Sequence, residues 1–130
     1  MKTSKAYFTL LCCLCILVTA CSSVKQGVNY TKNWQGSDVP GHIYATFDGF
    51  NGKQDFNAKL FKNGHMNVKY STDIPSGEMR LEIKCNSKVV LDRDVTGKVR
   101  DSILFDNPGN EPVRFTFKAK NAAGKFDLTY

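Results

Sequence analysis

Between residues 42 and 130, apolar and polar residues alternate with a period of two, and this alternation constrains the fold more than any other feature. Residues 78–85 (EMRLEIKC) show it most clearly, with four apolar side chains on one face and charged ones between them. Successive side chains of a strand point to opposite faces of its sheet. No stretch shows a helical periodicity of useful length, so the chain is expected to be all-β.

Turn residues divide the alternating region into short segments, because Asn and Gly tolerate positive φ. About eight short strands joined by such turns predict an antiparallel β-sandwich over residues 42–130, with a small closed barrel as the alternative. The predicted turns and loops are Asn51-Gly52, Asn63-Gly64, Thr72–Gly77, Asn86-Ser87, Asp106–Pro112 and Asn121–Gly124.

The first twenty residues have a different character. Residues 1–5 contain Lys2 and Lys5 and no acid, and residues 6–20 (AYFTLLCCLCILVTA) carry no charge. A basic head, an apolar run of about 15 residues and a small-residue end are typical of a secretory signal peptide. A membrane span needs about 20 apolar residues. We therefore predict a signal peptide over 1–20; a short membrane anchor or a buried helix is the alternative.

The end of this run, Val18-Thr19-Ala20-Cys21, resembles the lipobox of bacterial lipoproteins. The resemblance implies a diacylglyceryl group on the Cys21 thiol, cleavage before Cys21 and acylation, for example with palmitate, of the new amino terminus. Two or more acyl chains hold a protein stably on a bilayer. The expected location is the extracytoplasmic face of the cell membrane or the outer membrane. Ser22 resembles the pattern that permits sorting to an outer membrane.

Residues 21–41 follow the predicted cleavage site and are polar, with three glycines and a proline. They show neither helical nor strand periodicity and predict a flexible tether between the lipid and the domain. Tyr30 and Trp34, together with Val28, leave open a short first strand or docking of this segment on the domain.

The layout of residues 77–130 also resembles the C-terminal part of small bacterial lipoproteins. Residues 113–117 (VRFTF) followed by residues 124–128 (GKFDL) resemble the closing strands of small single-domain β-sandwich lipoproteins, most of which have no assigned activity. This resemblance implies the sandwich fold and no particular function.

Cysteine usage and charge restrict the remaining possibilities. With Cys12, Cys13 and Cys15 in the signal and Cys21 lipidated, Cys85 has no intramolecular disulfide partner and is expected to be buried and inert, a reactive thiol being the alternative. Loss of Lys2 and Lys5 leaves 16 of the 18 basic residues against 12 acidic ones, a net charge of +4. The charges are interspersed, so no nucleic-acid partner is expected. The expected partners are the membrane and an envelope protein or glycan.

The sequence offers little catalytic chemistry. His42 and His65 lie beside predicted turns and are expected to be exposed. No nucleophile elbow, metal-spaced cluster or phosphate-binding loop occurs, so we predict no enzyme activity, no cofactor and no metal. Asp48–Gly52 and Asp92–Asp94 group oxygen donors as calcium requires, but turn formation explains both segments.

Three aromatic residues, Tyr44, Phe50 and Phe61, fall out of phase with the predicted core positions and are candidates for an exposed ligand-binding patch. Burial at the ends of the sandwich is the alternative.

The sequence therefore favours a membrane-anchored, non-enzymatic binding domain. A carbohydrate- or cell-wall-binding module needs the three rings in one exposed patch. A small envelope inhibitor of a host or phage enzyme needs a protruding loop at Thr72–Gly77 or Asp106–Pro112. An enzyme needs a histidine that meets a carboxylate in a cleft.

Overall fold

Three long strands carry the fold, and four shorter ones extend it at the edges. A computed structural model of the protein describes residues 29–58 and 64–130, in which every strand pairing is antiparallel. The seven strands are β1 (Tyr30–Lys32), β2 (Gln35–Val39), β3 (His42–Ala58), β4 (His65–Cys85), β5 (Lys88–Asp94), β6 (Gly97–Asp106) and β7 (Val113–Thr129). The all-β prediction is confirmed.

The long strands β3, β4 and β7 each take part in two layers of the sandwich. The front layer has the order β2-β3-β7-β4-β6 and uses residues 42–47 of β3, 65–74 of β4 and 124–129 of β7. The back layer has the order β1-β3-β7-β4-β5 and uses the other halves of the same strands. Strands that pass from one layer to the other through bulges or bends are a known way to build the corners of a sandwich.

Bulges in the middle of the long strands keep both halves facing one core. In β3 the register shifts between Phe47 and Phe50, and both side chains are buried although they are three residues apart. In β4 the register shifts between residues 73 and 78, and Ile74 and Met79, five residues apart, are both buried. An uninterrupted strand would point each such pair to opposite faces. The bulge restores the buried phase after the chain changes layer.

Aromatic rings from both layers meet in the core. Phe117 of the back layer stacks on Phe126 of the front layer, with ring centroids 3.9 Å apart and planes inclined by 17°. Phe56 lies against both rings, at 6.1 and 6.0 Å. Buried apolar area of this kind is the main favourable term in folding, at about 25 cal/mol per Å². The two layers therefore share one hydrophobic core, as a sandwich requires.

The sandwich has open edges. In the described part of the chain, β1 and β2 pair only with β3, and β5 and β6 pair only with β4. No described pairing joins these two sides, so the strands form an open sandwich and not the closed barrel that the alternation also allowed.

Several predicted turns are bends within strands. The prediction of reversals at Asn51-Gly52, Thr72–Gly77 and Asn121–Gly124 is wrong, because each segment continues a long strand. The backbone there does adopt positive φ, for example 109° at Gly52 and 143° at Gly124, but it forms a bulge and not a hairpin. The turn at Asn86-Ser87 is confirmed, and residues 107–112 form the predicted loop.

The predicted tether also differs from the structure. Residues 30–39, placed in the tether over 21–41, form β1 and β2 and pair with β3. Trp34 between them stacks on Phe47 at a centroid distance of 5.3 Å and meets Phe50 edge-on at 5.5 Å. Docking of this segment on the domain, the open alternative, is confirmed, since an indole ring against the core removes apolar area from water. The predicted signal peptide and Cys21 lie outside the described residues.

No helix long and apolar enough to cross a membrane is found in residues 29–58 and 64–130.

The outer face of the back layer is a network of paired charges. Glu82, whose side chain is 12% exposed, accepts from Lys84 at 3.2 Å and from Lys118 at 3.3 Å. Burial raises the pKa of Glu82, but these two hydrogen bonds lower it by more, so the pKa lies below its usual range. Arg80 donates to Asp92 at 2.5 Å and lowers the pKa of that carboxyl group.

Acid should weaken the fold through Glu82. Its pKa is lower in the folded chain than its unfolded value of about 4.3, so its stabilisation is present above about pH 4.3 and is lost as the pH falls through the folded pKa. We expect Glu82→Gln to cost about 1 kcal/mol at neutral pH and to reduce the loss of stability on acidification. Urea unfolding between about pH 7 and pH 2 measures both effects.

Glu78→Gln is the matched control, since Glu78 is exposed on the same strand and has no ion pair among the described residues. Equal pH profiles for the two variants would contradict the role of Glu82.

Candidate functional site

A groove of about 670 Å³ lies on the outer face of the front layer and crosses four strands, β3, β7, β4 and β6. Neighbouring strands are about 4.8 Å apart, so the four strands span roughly 14 Å. Its lining combines the outward side chains of the front layer with the inward positions between them, Ala45, Thr72, Val99 and Phe126. The inward-facing side chains of these strands therefore belong to the core, and the outward-facing ones form the surface that a ligand could contact.

One row of side chains crosses the groove from β3 to β6. The strand register places Tyr44 opposite Asp127, Asp127 opposite Ser71, and Ser71 opposite Arg100. Cβ atoms of residues directly opposite in such pairs are about 4.5–5.5 Å apart. An exposed aromatic ring, a carboxylate, a hydroxyl and a guanidinium group thus lie side by side across the sheet, and Tyr44 is 42% exposed.

A second row runs beside the first and carries more charge. It consists of Thr46 on β3, Lys125 on β7, Asp73 on β4 and Lys98 on β6, again in direct register. All four line the groove. The two rows together offer donors, acceptors and both signs of charge within reach of one ligand.

The groove continues toward the other end of β6. A smaller cavity of about 400 Å³ is lined by Lys69, Ser102 and Thr129 and shares Arg100 and Asp127 with the groove. Arg100 and Asp127 therefore lie where the two cavities meet.

His42 contacts the groove at its rim. Its Nε2 atom is 3.0 Å from Oδ2 of Asp127, and its ring centroid is 5.0 Å from that of Tyr44. Both members of the pair are well exposed, at 41% for His42 and 53% for Asp127. The contact restricts the orientations of the Asp127 carboxylate and of the Tyr44 ring. His65 makes a similar contact with Asp106, at 2.7 Å, at the far end of the β4–β6 pair.

The predicted aromatic patch is only partly present. Tyr44 is exposed and lines the groove, as the sequence suggested. The prediction that Phe50 is exposed is wrong: it is 1% exposed and packs against Phe47, because the bulge between them reverses the phase of β3. Phe61 lies outside the described residues. The three rings therefore do not form one patch, and the carbohydrate-module hypothesis is wrong in predicting it; what the structure provides instead is the exposed ring of Tyr44 beside the polar groups of the groove.

Sequence reasoning missed most of the groove. Ser71, Arg100, Lys125 and Asp127 are not among the candidates that the sequence suggested, and Ser71 directly precedes the predicted loop Thr72–Gly77, which is part of β4. The available signal was the polar phase of each strand. What joined these residues was the strand order, which places β7 between β3 and β4.

The two segments considered for calcium, Asp48–Gly52 and Asp92–Asp94, have carboxylates that accept hydrogen bonds from within the protein. Asp48 accepts from Asn33 at 2.6 Å, and Asp94 accepts from the backbone N–H of Thr96 at 2.8 Å. Among residues 29–58 and 64–130 no three His, Cys, Asp or Glu side chains are grouped to hold a metal ion. Cys85 is half-buried against the core, so it is less buried than predicted.

Of the two segments that a small envelope inhibitor was expected to use as a protruding loop, only the second is a loop in the structure. Thr72–Gly77 is part of β4 and pairs with β7, so it does not protrude. In the second loop the side-chain amide of Asn107 donates to the carbonyl of Glu111 at 3.0 Å and accepts from its N–H at 2.8 Å. These hydrogen bonds brace the loop between β6 and β7.

A β-sandwich with a polar groove across one face is the class that fold and site define. The chain matches no protein-family model and no curated protein sequence. Among solved structures it is similar to a carbohydrate-binding module, CBM4, with a TM-score of 0.42, 12% identity and 76% of both chains covered.

It is also similar to Fe(II)-HppE with the alternative substrate (S)-1-HPP, with a TM-score of 0.38, 9% identity and coverage of 80% of this chain and 55% of that one. A further similarity is to hydroxypropylphosphonic acid epoxidase from S. wedmorenis, with a TM-score of 0.33, 10% identity and coverage of 79% and 58%. All three TM-scores lie below 0.5.

Proposed function

We propose that this protein is a lipoprotein, anchored through lipid on Cys21 at the extracytoplasmic face of a cell envelope membrane, and that its sandwich binds a saccharide without catalysis. The observation that carries the binding part of the proposal is the groove across the front layer. The anchor rests on the lipobox-like sequence Val18-Thr19-Ala20-Cys21.

The groove has the two kinds of group that a sugar needs. A pyranose ring presents apolar C–H groups on its faces and hydroxyl groups around its edge. The exposed ring of Tyr44 supplies an apolar surface. Thr46, Ser71 and Asp127 supply hydroxyl and carboxylate oxygens beside that ring, and such side chains donate to or accept from hydroxyl groups.

Rigid support favours binding because fewer degrees of freedom are lost when the ligand arrives. The lining residues project from paired strands whose inward neighbours Ile43, Ala45 and Leu128 are at most 1% exposed. Asp127 is also held by His42 at 3.0 Å. The front layer therefore presents a largely pre-formed surface.

Tyr44→Ala tests the proposal. We expect it to weaken saccharide binding about ten-fold, because the ring contributes on the order of 1.4 kcal/mol of stacking and burial. Affinity electrophoresis of the full chain in detergent, through gels containing dextran, dextran sulfate, polygalacturonate or its methyl ester, measures the effect.

Tyr30→Ala is the matched control: Tyr30 is 47% exposed, close to the value for Tyr44, but lies on β1 at the edge of the back layer. Retardation by none of the four polysaccharides, or an equal loss in the two variants, would overturn the saccharide proposal.

A further inference from the structure

We propose that the saccharide bound in the groove is acidic, and that Arg100, assisted by Lys98 and Lys125, binds its carboxylate or sulfate groups. This inference rests on the proposed saccharide function and specifies its ligand class.

The groove carries more cations than carboxylates. It is lined by Lys98, Arg100 and Lys125 against Asp73 and Asp127. None of the three cations has a carboxylate within 4.0 Å among the residues that the structure describes. Asp127, by contrast, is engaged by His42. Partnerless cations in a groove raise the local concentration of an anionic ligand.

The back layer pairs most of its charges, although Arg114 on that layer has no carboxylate within 4.0 Å among the described residues. Its carboxylates Asp55, Glu82 and Asp92 each have a lysine or arginine nitrogen within 3.2 Å. Both outer faces are built from the same strands β3, β4 and β7. Four cations of the back layer pair with carboxylates and Arg114 does not, whereas none of the three groove cations has such a partner among the described residues.

Arg100 is the best placed of the three cations. It lines both cavities, at the point where they meet, and lies across Ser71 from Asp127 and Tyr44. Its guanidinium group is planar and presents paired N–H donors that match a carboxylate or sulfate. A sugar ring on Tyr44 would thus place an acidic substituent, or the acidic group of the next ring, on the Arg100 side of the groove.

The two carboxylates of the groove limit the charge of the ligand. Asp73 lies directly between Lys98 and Lys125 in the second row. With three cations against two carboxylates, the lining has a net charge of +1 when both lysines and the arginine are protonated. Such a surface suits a polymer with one acidic group per sugar and its hydroxyls free, since a densely charged anion would also meet the carboxylates.

Paired polysaccharides that differ only in charge test the inference. Polygalacturonate and its methyl ester share one backbone, as do dextran sulfate of low substitution and dextran, and the two pairs separate a carboxylate from a sulfate. We expect the full chain in detergent to bind at least one acidic member about ten-fold more tightly than its neutral counterpart, with binding that weakens as salt is raised.

Arg100→Gln should lower the ratio of the affinities for the acidic and the neutral member from about ten toward one, whatever it does to the affinity for the neutral member. Arg114→Gln is the matched control, because Arg114 is exposed on the back-layer half of β7 and loses the same charge. The unfolding midpoint of both variants, measured in parallel, shows that each one folds.

The outcomes are distinct. Binding of acidic and neutral members with equal affinity, or an Arg100→Gln variant indistinguishable from Arg114→Gln, would overturn the acidic-ligand inference and leave the saccharide function standing. Retardation by none of the four polymers would overturn both.

Discussion

Replacing Gly77 with alanine should destabilise the protein by about 3–5 kcal/mol, a large part of the 5–15 kcal/mol that holds a typical domain folded. Gly77 lies in the bend of β4, where φ is +76°. A Cβ atom there would lie 2.2 Å from the carbonyl oxygen of Asn121 and 2.5 Å from the Cα of Ala122. Both are backbone atoms of β7, so relief requires the bends of two central strands to separate.

Gly97→Ala separates crowding from backbone strain. Gly97 has the same φ of +76°, but a Cβ atom added to it would meet nothing within 4 Å. This variant should lose only the conformational preference of glycine, about 1–2 kcal/mol. Urea unfolding followed by the fluorescence of Trp34, the single tryptophan of the chain, measures both values. Equal losses in the two variants would mean that the strands do not approach each other as described.

Replacing Cys21 with alanine should abolish lipid attachment completely. The thiol is the atom that the lipobox resemblance assigns to the diacylglyceryl group, and alanine offers no nucleophile. Each buried methylene contributes about 0.8 kcal/mol, so loss of two or more acyl chains removes stable membrane association. Cells grown with labelled palmitate should yield labelled wild-type protein and an unlabelled Cys21→Ala variant.

Cys15→Ala is the control, since Cys15 lies in the same apolar segment but outside the lipobox-like sequence. It should incorporate label like the wild type. Label in the Cys21→Ala variant, or an unmodified Cys21 thiol in the mass spectrum of the purified protein, would refute the anchor.

The site shows how far sequence reasoning reaches. Tyr44 was identified because its ring falls on the polar phase of a strand, which is a local property. Arg100 and Asp127 also lie at polar positions of their strands, but they are 27 positions apart in the chain. They belong to one row only because β4 lies between β6 and β7 and pairs with both. Strand order depends on long-range packing, which alternation does not encode.

The prediction that Phe50 is exposed was wrong for a related reason. Its position was counted from Ile43 through Phe47 on the assumption of an unbroken strand, and a bulge of one residue moves every later side chain to the other face.

The sequence was sufficient to predict that this chain forms strands and, within segments that contain no bulge, which residues face the core, because period-two alternation is a local consequence of the extended backbone. It also marked where the backbone takes positive φ. Only the tertiary structure decided what those positions do: at Gly52, Gly77 and Gly124 they bend a continuing strand from one layer to the other. A bulge and a hairpin turn use the same local conformations, and the choice between them depends on which distant strand supplies the hydrogen-bond partners.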